Sequence, residues 1–193
     1  MNRMIHWQRK KKKDNNSLLL GVGITLALGA GVALYLKNRR TIPKGIKAVR
    51  PFDLSKYLGK WYEIARLDFM FEKNIDYATA EYSRNEDGTI RVVNRGYNYR
   101  KQEEVENIGE AIPVGEENEG MLKVSFCKPF YTGYNVIAID NKYKYALVAG
   151  RNHNYLWILS KEKEIPEKIV NEYLEKAESL GFDISRLIWT KYK

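Results

Sequence analysis

The chain has 193 residues, 44% of them hydrophobic, and this length can bury one good core with an appendage. Its net charge of +9 arises in residues 1–44, where ten Lys/Arg stand against Asp14 alone, so that 23 Lys/Arg balance 23 Asp/Glu in the remainder. A protein that binds nucleic acid needs a basic surface for the phosphates, and the neutral remainder supplies none, which excludes that class.

The first part of the chain has the pattern of a membrane anchor. Residues 1–16 form a basic tail, and residues 17–36 follow it as twenty residues without a charge. A helix of that length spans a hydrocarbon core of about 30 Å, and a buried soluble helix is excluded because apolar residues cover every face. The sequence therefore predicts a single transmembrane signal anchor at 17–36.

The flanking charges bear on orientation and on cleavage. The denser basic cluster precedes the span, which favours a cytoplasmic N-terminus and a large domain on the periplasmic side. A cleaved secretory signal has a shorter apolar core, of about 7–15 residues, but a weak small-x-small match at 31–33 leaves cleavage open. Residues 37–50 read as a linker, and residues 51–193 as the folded domain.

The folded domain begins as a series of short strands separated by turn signals. Asn85 to Gly88 is a hairpin turn, because its Asp-Gly pair supplies the positive φ that such turns need. The strand-like runs are 59–67, 76–83, 90–99, 103–111, 120–127, 132–140, 143–150 and 154–160. Eight sequentially adjacent antiparallel strands predict an all-β up-and-down barrel, since closure removes the sheet edges, although a sandwich would give a similar pattern.

One helix interrupts this series near the C-terminus. Residues 166–180 place apolar side chains on one stripe, with Pro166 in the first turn and Gly181 just past the end. An amphipathic helix must cover another surface, so this one is predicted to pack on the barrel wall. A last short strand follows at 187–189.

Three sequence blocks resemble the lipocalin family, and specifically the bacterial outer-membrane lipocalins and apolipoprotein D. The first is Gly59-x-Trp61 ahead of a strand, the second is the run 133–140, and the third is the run 155–160. A lone G-x-W would be a weak signal, whereas three blocks in order over residues 50–192 are a specific one.

The resemblance implies an eight-stranded barrel that is plugged at one end. Trp61 is then expected to lie across the closed end, with Gly59 letting the chain enter beneath it. A cation of the third block covers the indole in the family; it is normally Arg, and Lys161 stands at the matching position. Lysine keeps the charge but loses the planar stacking surface.

The tail departs from the family pattern. Outer-membrane lipocalins usually carry an acylated cysteine at the end of the signal, and this tail has no cysteine. A protein anchor is therefore expected to replace the lipid, while the resemblance keeps an outer-membrane location open. The single Cys127 permits no internal disulfide, and we expect it to be a buried, inert thiol at a strand end.

The leading functional hypothesis is a hydrophobic cup that holds a fatty acid or a lysophospholipid for storage or transport. The alternation of the strands predicts the inward-facing candidates Ala78, Ala80, Tyr82, Val92, Asn94, Tyr134, Val136, Tyr155 and Trp157. Phe69, Met70 and Phe71 follow the first strand as a mouth loop; they are read as a lid, a membrane contact or a segment tucked against a neighbouring loop.

Two alternatives stay open at this stage. The first is a membrane-tethered interaction protein whose barrel is filled, and the second is a lipocalin-type enzyme acting on a lipid. The only histidines are His6 and His153, so neither a histidine triad nor a multi-histidine metal site can form, and no catalytic residue, metal or cofactor is predicted. The expected partners are a lipid ligand and the membrane, with a homodimer as a further option.

Overall fold

The computed structural model describes residues 41–67, 74–190 and 192. A short helix, α1, precedes nine strands, and a second helix, α2, lies between the last two of them. The elements are α1 (Leu54–Tyr57), β1 (Gly59–Leu67), β2 (Ile75–Arg84), β3 (Ile90–Asn98), β4 (Glu103–Pro113), β5 (Met121–Cys127), β6 (Phe130–Ile139), β7 (Tyr145–Gly150), β8 (Leu156–Ser160), α2 (Glu167–Ser179) and β9 (Leu187–Trp189).

The strands form the closed barrel that the sequence predicts. Each of β1 to β7 pairs antiparallel with the next, and β1 also pairs with β8, which closes the sheet on itself. β9 pairs with the last residues of β1, where β2 has already separated from it. The eight-stranded antiparallel barrel and the C-terminal helix are thus confirmed.

Helix α2 packs on the outside of this barrel. Tyr173 and Ala177 are buried on its inner face, and the Tyr173 hydroxyl donates a hydrogen bond of 2.8 Å to the Tyr145 carbonyl on β7. Gly181 ends the helix with φ of 87°, and Phe182 folds back into the same apolar cluster. The amphipathic stripe of the sequence therefore faces the wall, as predicted.

Two apolar clusters divide the domain. One fills the barrel and contains Trp61, Val92 and Val136; the other lies between the outer wall and α2 and contains Ile137 and Ala177. Consecutive residues of one strand alternate between the two clusters, because successive side chains of a strand point to opposite faces. Val136 and Ile137 on β6 show this alternation directly.

The described part of the predicted linker 37–50 packs against the domain. Residues 41–50 lie on the barrel: Ile46 is buried in the outer cluster, and the Val49 amide donates a hydrogen bond of 2.8 Å to the Val136 carbonyl. The predicted span 17–36 lies outside the described residues. Over 41–67, 74–190 and 192, no helix combines the length and the apolar character that crossing a membrane requires.

The two ends of the barrel are built differently. α1 and the turns 85–89, 114–120 and 140–144 lie at one end, where β1 begins; we call it the closed end. The turns 99–102, 128–129 and 151–155 lie at the other end, which we call the mouth. β4 pairs with β5 only over Glu110–Pro113, so the wall is lowest where β5 and β6 meet.

Candidate ligand cavity

The closed end is sealed by α1 and Trp61. The Trp61 side chain is fully buried, its indole N–H donates a hydrogen bond of 2.7 Å to the Tyr57 carbonyl, and its ring lies 4.7 Å from that of Tyr57. Lys161 Nζ lies 4.4 Å from the Trp61 ring centroid and donates to the Leu58 carbonyl. This is the cap that the resemblance implies, with lysine in place of arginine.

Gly59 is required where β1 enters beneath this cap. Its φ is 93°, which lies in the region that favours glycine, and a Cβ there would stand 3.4 Å from Lys161 Nζ. Burial lowers the pKa of Lys161 to about 8, although the two carbonyls that it contacts favour its charged form.

Burial of the inward-facing side chains decreases from the closed end to the mouth. On β6, Val136 is fully buried, Tyr134 is half-buried, and Phe130 is 75% exposed. On β3, Val92 is buried and Asn94 is half-buried. The lower half of the barrel is therefore filled with side chains, whereas the upper half leaves its inner wall accessible.

An aromatic column connects the closed end with the mouth. The Tyr82 and Tyr134 ring centroids are 5.9 Å apart, and Tyr134 stacks on Trp157 at 6.4 Å. Tyr155 also stacks on Trp157, with the ring centroids 6.4 Å apart. These rings present flat apolar surfaces along one side of the accessible space.

Three phenols meet at the floor of that space. The Tyr82 hydroxyl donates a hydrogen bond of 2.8 Å to the Tyr134 oxygen, and the Tyr57 and Tyr134 oxygens are 2.6 Å apart. Burial raises the pKa of Tyr57 and Tyr134 well above the usual value, so both remain protonated. Whichever of these two donates to the other, one hydroxyl proton has no acceptor among the described residues.

Asn94 places a second polar group on the inner wall, one inward-facing position nearer the mouth than Val92, the partner of Tyr82. It lies opposite Ala80 on β2, and its Oδ1 atom is buried without a hydrogen-bond partner in the described part of the chain. A ligand pocket typically combines apolar walls with a few such polar atoms. Asn94 and the phenols therefore form the polar floor of the cavity.

A buried ion pair lies in the wall above this floor. Glu63 and Arg66 both face inward, because a bulge in β1 separates them and their partners on β8 are Leu159 and Trp157. Desolvation raises the pKa of Glu63, while the Arg66 guanidinium opposes that shift. The two charges compensate each other, so the pair leaves little net charge for a ligand.

The structure places the sequence candidates unequally around the cavity. Tyr82, Val92 and Val136 belong to the packed inner cluster, and Ala80, Tyr134 and Trp157 pack against it while partly buried. Asn94 and Tyr155 lie at the accessible level described above. Ala78 sits in a bulge of β2 between Asp76 and Thr79, where the alternation is interrupted. Phe69, Met70 and Phe71 lie outside the described residues.

Several residues of the site were not found from the sequence. Tyr57 lies in a helix of four residues, too short for a periodic pattern, and Arg66 faces inward only because of the bulge. Phe126 and Phe130 reach the mouth because the β5–β6 hairpin is short. The same hairpin corrects the expectation for Cys127, which is exposed rather than buried.

No cluster of three or more His, Cys, Asp or Glu side chains suited to a metal ion occurs among residues 41–67, 74–190 and 192. His153 lies in the mouth turn before β8, where its Nε2 atom is 3.0 Å from the Leu180 carbonyl and its ring packs on Phe182. That histidine thus contacts the end of α2 on the outer face and does not line the cavity.

Comparison with known proteins matches the domain to a family. The model of the lipocalin-like domain matches residues 52–192. The outer membrane lipoprotein Blc of Citrobacter freundii is 43% identical over 168 residues, which cover 87% of this chain and 95% of that protein. Blc of Escherichia coli (strain K12) is 45% identical over 151 residues, covering 78% and 85%.

A solved structure agrees on the fold. Insecticyanin from the tobacco hornworm Manduca sexta superposes with a TM-score of 0.64, covering 80% of this chain and 88% of its own. Its sequence identity is 21%, so the likeness concerns the fold alone.

Proposed function

The chain belongs to the lipocalin family, in the branch of the Blc lipoproteins and apolipoprotein D, and from that premise we propose that its barrel holds a single-chain lipid. The family binds small hydrophobic ligands. The proposal for this chain is narrower: a fatty acid or a lysophospholipid lies with its chain inside the barrel, and the function is storage or transport at the cell envelope.

The observation that carries the proposal is the gradient of burial along the inner wall. Ala80, Tyr134 and Trp157 face inward and are only partly buried, although they pack against a cluster that is otherwise buried. A barrel filled by its own side chains would bury these residues as fully as Val136. Apolar walls around an accessible space are what an acyl chain requires.

The two ends favour one orientation of the ligand. Trp61, Tyr57 and Lys161 close one end, so the head group is left at the mouth, in contact with water. The ion pair of Glu63 and Arg66 supports the same orientation, because its charges are already compensated and attract no anionic head group into the barrel. The other polar groups that face the cavity are few, namely the Asn94 amide and the three tyrosine hydroxyls.

The envelope location rests on two observations. The relatives are named outer membrane lipoproteins, and the chain carries an uncharged stretch of bilayer length at 17–36. The tail has no cysteine that could be acylated, so we propose that the stretch itself anchors the protein, with the barrel on the extracytoplasmic side.

A pair of tryptophan substitutions tests the cavity. Ala80→Trp places an indole on the inner wall, directly across from Trp61, whereas Ser83→Trp places one on the exposed outer face of the same strand. Binding of a fatty acid and of the lysophospholipid with the same chain is measured by calorimetry on the delipidated protein. We expect Ala80→Trp to weaken binding by about tenfold or more, since each methylene kept in water costs about 0.8 kcal/mol.

The control Ser83→Trp is expected to bind like the wild type. No saturable binding to the wild type for either lipid would favour the filled-barrel interaction protein. Unchanged binding to Ala80→Trp would place the ligand outside the barrel.

A further inference from the structure

The Asn94 side chain carries a buried oxygen that the protein itself does not satisfy. Its Oδ1 atom has no hydrogen-bond partner in the part of the chain that the structure describes. Asn94 faces the cavity, because it lies two residues from Val92 of the inner cluster and directly opposite Ala80, which packs against that cluster. A buried acceptor without a partner is destabilising unless a water or a ligand group donates to it. Asn94 Oδ1 therefore requires a donor from inside the cavity.

The phenols at the floor leave the complementary group. The Tyr82 hydroxyl donates to the Tyr134 oxygen, and the Tyr57 and Tyr134 oxygens share one hydrogen bond between them. Each hydroxyl has a single proton, so the second proton of the Tyr57–Tyr134 pair has no acceptor among the side chains that the structure describes. The polar floor thus combines one unsatisfied acceptor with one unsatisfied donor.

These two groups lie on successive levels of the inner wall. Tyr82 on β2 is paired with Val92 on β3, and Asn94 lies two residues, about 7 Å, nearer the mouth along β3. A chain that enters from the mouth therefore passes the Asn94 amide before it reaches the phenols. The last few carbons of a ligand that fills the cavity lie at these levels.

The floor suits a neutral polar group better than a charged one. Burial raises the pKa of Tyr57 and Tyr134, so both phenols stay protonated and uncharged. The charges of Glu63 and Arg66 in the wall above compensate each other. An ionised group at the floor would lose its hydration without gaining a counter-charge. A hydroxyl fits instead, because it donates one hydrogen bond and accepts others.

We propose that the polar floor is a hydroxyl-binding subsite, which selects acyl chains that carry a hydroxyl near the end remote from the head group. The hydroxyl donates to Asn94 Oδ1, and its oxygen can accept the proton that the phenol pair leaves unpaired. This inference rests on the proposed function, because it requires the chain inside the barrel and the head group at the mouth. Asn94 then determines which acyl chain the cavity prefers, whereas the apolar walls accept any chain of suitable length.

Calorimetry on the delipidated full chain, kept soluble in a fluorinated surfactant, tests this preference. The reference ligand is the longest saturated fatty acid for which affinity still rises with length, since that chain reaches the floor. Among its forms hydroxylated on one of the last few carbons, we expect at least one to bind about fivefold tighter, as one additional hydrogen bond provides. The form hydroxylated beside the carboxylate should bind like the reference, because its hydroxyl stays in water at the mouth.

Substitution of Asn94 identifies the acceptor. In Asn94→Leu the floor keeps a similar volume but loses the acceptor, so the preferred hydroxy acid should bind about tenfold more weakly than the plain acid, because its proton is buried without a partner. Asn171→Leu, on the exposed side of α2, is the matched control and should keep the preference of the wild type. If Asn94→Leu does not fold, NMR of the wild type replaces it: the side-chain amide resonance of Asn94, but not that of Asn171, should differ between the complexes with the hydroxylated and the plain acid.

Three outcomes would overturn the inference. Equal affinity of the wild type for the plain acid and for every hydroxylated form would show that a bound water satisfies the floor, which then selects nothing. A preference that Asn94→Leu retains would place the hydroxyl away from this residue. A gain only for the form hydroxylated beside the carboxylate would place the head group at the floor. Binding of the plain acid without a preference thus refutes this inference alone, whereas binding of none of the acids refutes the proposed function together with it.

Discussion

Trp61, on β1, connects that strand to helix α1 at the closed end of the barrel. Its indole N–H bonds to α1, its ring packs on Tyr57, and Lys161 covers its outer face. A side chain with both apolar contact and a satisfied donor stabilises a buried site more than either contact alone. The stability of the closed end therefore depends much more on Trp61 than on Lys161.

Substitution of the two residues should show this difference. We expect Trp61→Ala to lower the free energy of unfolding by about 3–5 kcal/mol, as loss of a large buried aromatic does. Lys161→Ala should cost about 1 kcal/mol for a half-exposed cation–π contact. Chemical denaturation measures both, and Trp189→Ala, an exposed tryptophan on β9, should stay within about 0.5 kcal/mol of the wild type. A Trp61→Ala protein as stable as the wild type would refute the role of Trp61 as the plug.

The charge of Lys161 should also make stability depend on pH. Its pKa of about 8 in the folded protein lies below the ordinary lysine value near 10.4. Between these two values the unfolded chain binds more protons, so the free energy of unfolding rises with pH; below about pH 8 this dependence is absent.

The measurement compares the wild type with Lys161→Met at pH 7.5 and 9.5. We expect the wild type to gain stability relative to the variant as the pH rises. Lys144→Met is the control, because the pKa of Lys144 is raised by Glu162 and its ammonium does not titrate in this window. A relative loss of wild-type stability over the same range would contradict the assignment.

At the scale of elements, β6 organises both faces of the domain. Its inner side chains pass from the core at Val136 to the mouth at Phe130, and its outer face receives the chain at Gly133 and Asn135. A Cβ on residue 133 would stand 1.7 Å from the Thr41 carbonyl oxygen, which is backbone and cannot rotate away. The glycine is needed for this close approach.

Gly133→Ala should therefore displace the segment 41–46 from the barrel. We expect a loss of about 1–3 kcal/mol in the free energy of unfolding, because the segment loses its packing and the hydrogen bond from Asn135. Faster amide exchange at Ile46 and Val49 should accompany this loss. Thr132→Ala, at the neighbouring exposed position, should change stability by less than about 0.5 kcal/mol. Unchanged exchange at Ile46 in Gly133→Ala would contradict the steric argument.

The elements also show which features of the structure can be predicted from the sequence. Alternation predicted the strands and the stripe of α2, because both patterns repeat along the chain over several residues. The height of the β5–β6 hairpin depends on the register between strands and on a bulge, neither of which leaves a local pattern. For that reason Phe126, Phe130 and the exposure of Cys127 could not be predicted, while the inward direction of Tyr134 and Trp157 could.

At the scale of the whole molecule, the two ends of the barrel differ in how well they are closed. The closed end is sealed, whereas the inner wall becomes more accessible toward the mouth. Any ligand that enters the cavity has one way in, so the mouth must face the source of that ligand. The anchor at residues 17–36 remains a prediction from the sequence.

Retention and orientation of that anchor can be tested on spheroplasts of bacteria that produce the full chain. If residues 17–36 span the cytoplasmic membrane, added protease should digest or release the barrel and leave the basic tail protected. A chain that begins near Leu34 would show that the span is cleaved. A barrel that stays wholly protected would show the opposite orientation.

The length of the cavity should set the choice of ligand. If the acyl chain lies inside the barrel, each methylene removed from water contributes about 0.8 kcal/mol, so affinity should rise about fourfold per carbon until the accessible half is full. It should then level off or fall, since the floor of Tyr134, Tyr82 and Asn94 stops the chain. Because the Glu63–Arg66 pair is compensated, moderate salt should change the affinity little. A calorimetric series of saturated fatty acids measures both effects. An affinity that is independent of chain length, or one that salt abolishes, would mean that the head group and not the chain is bound.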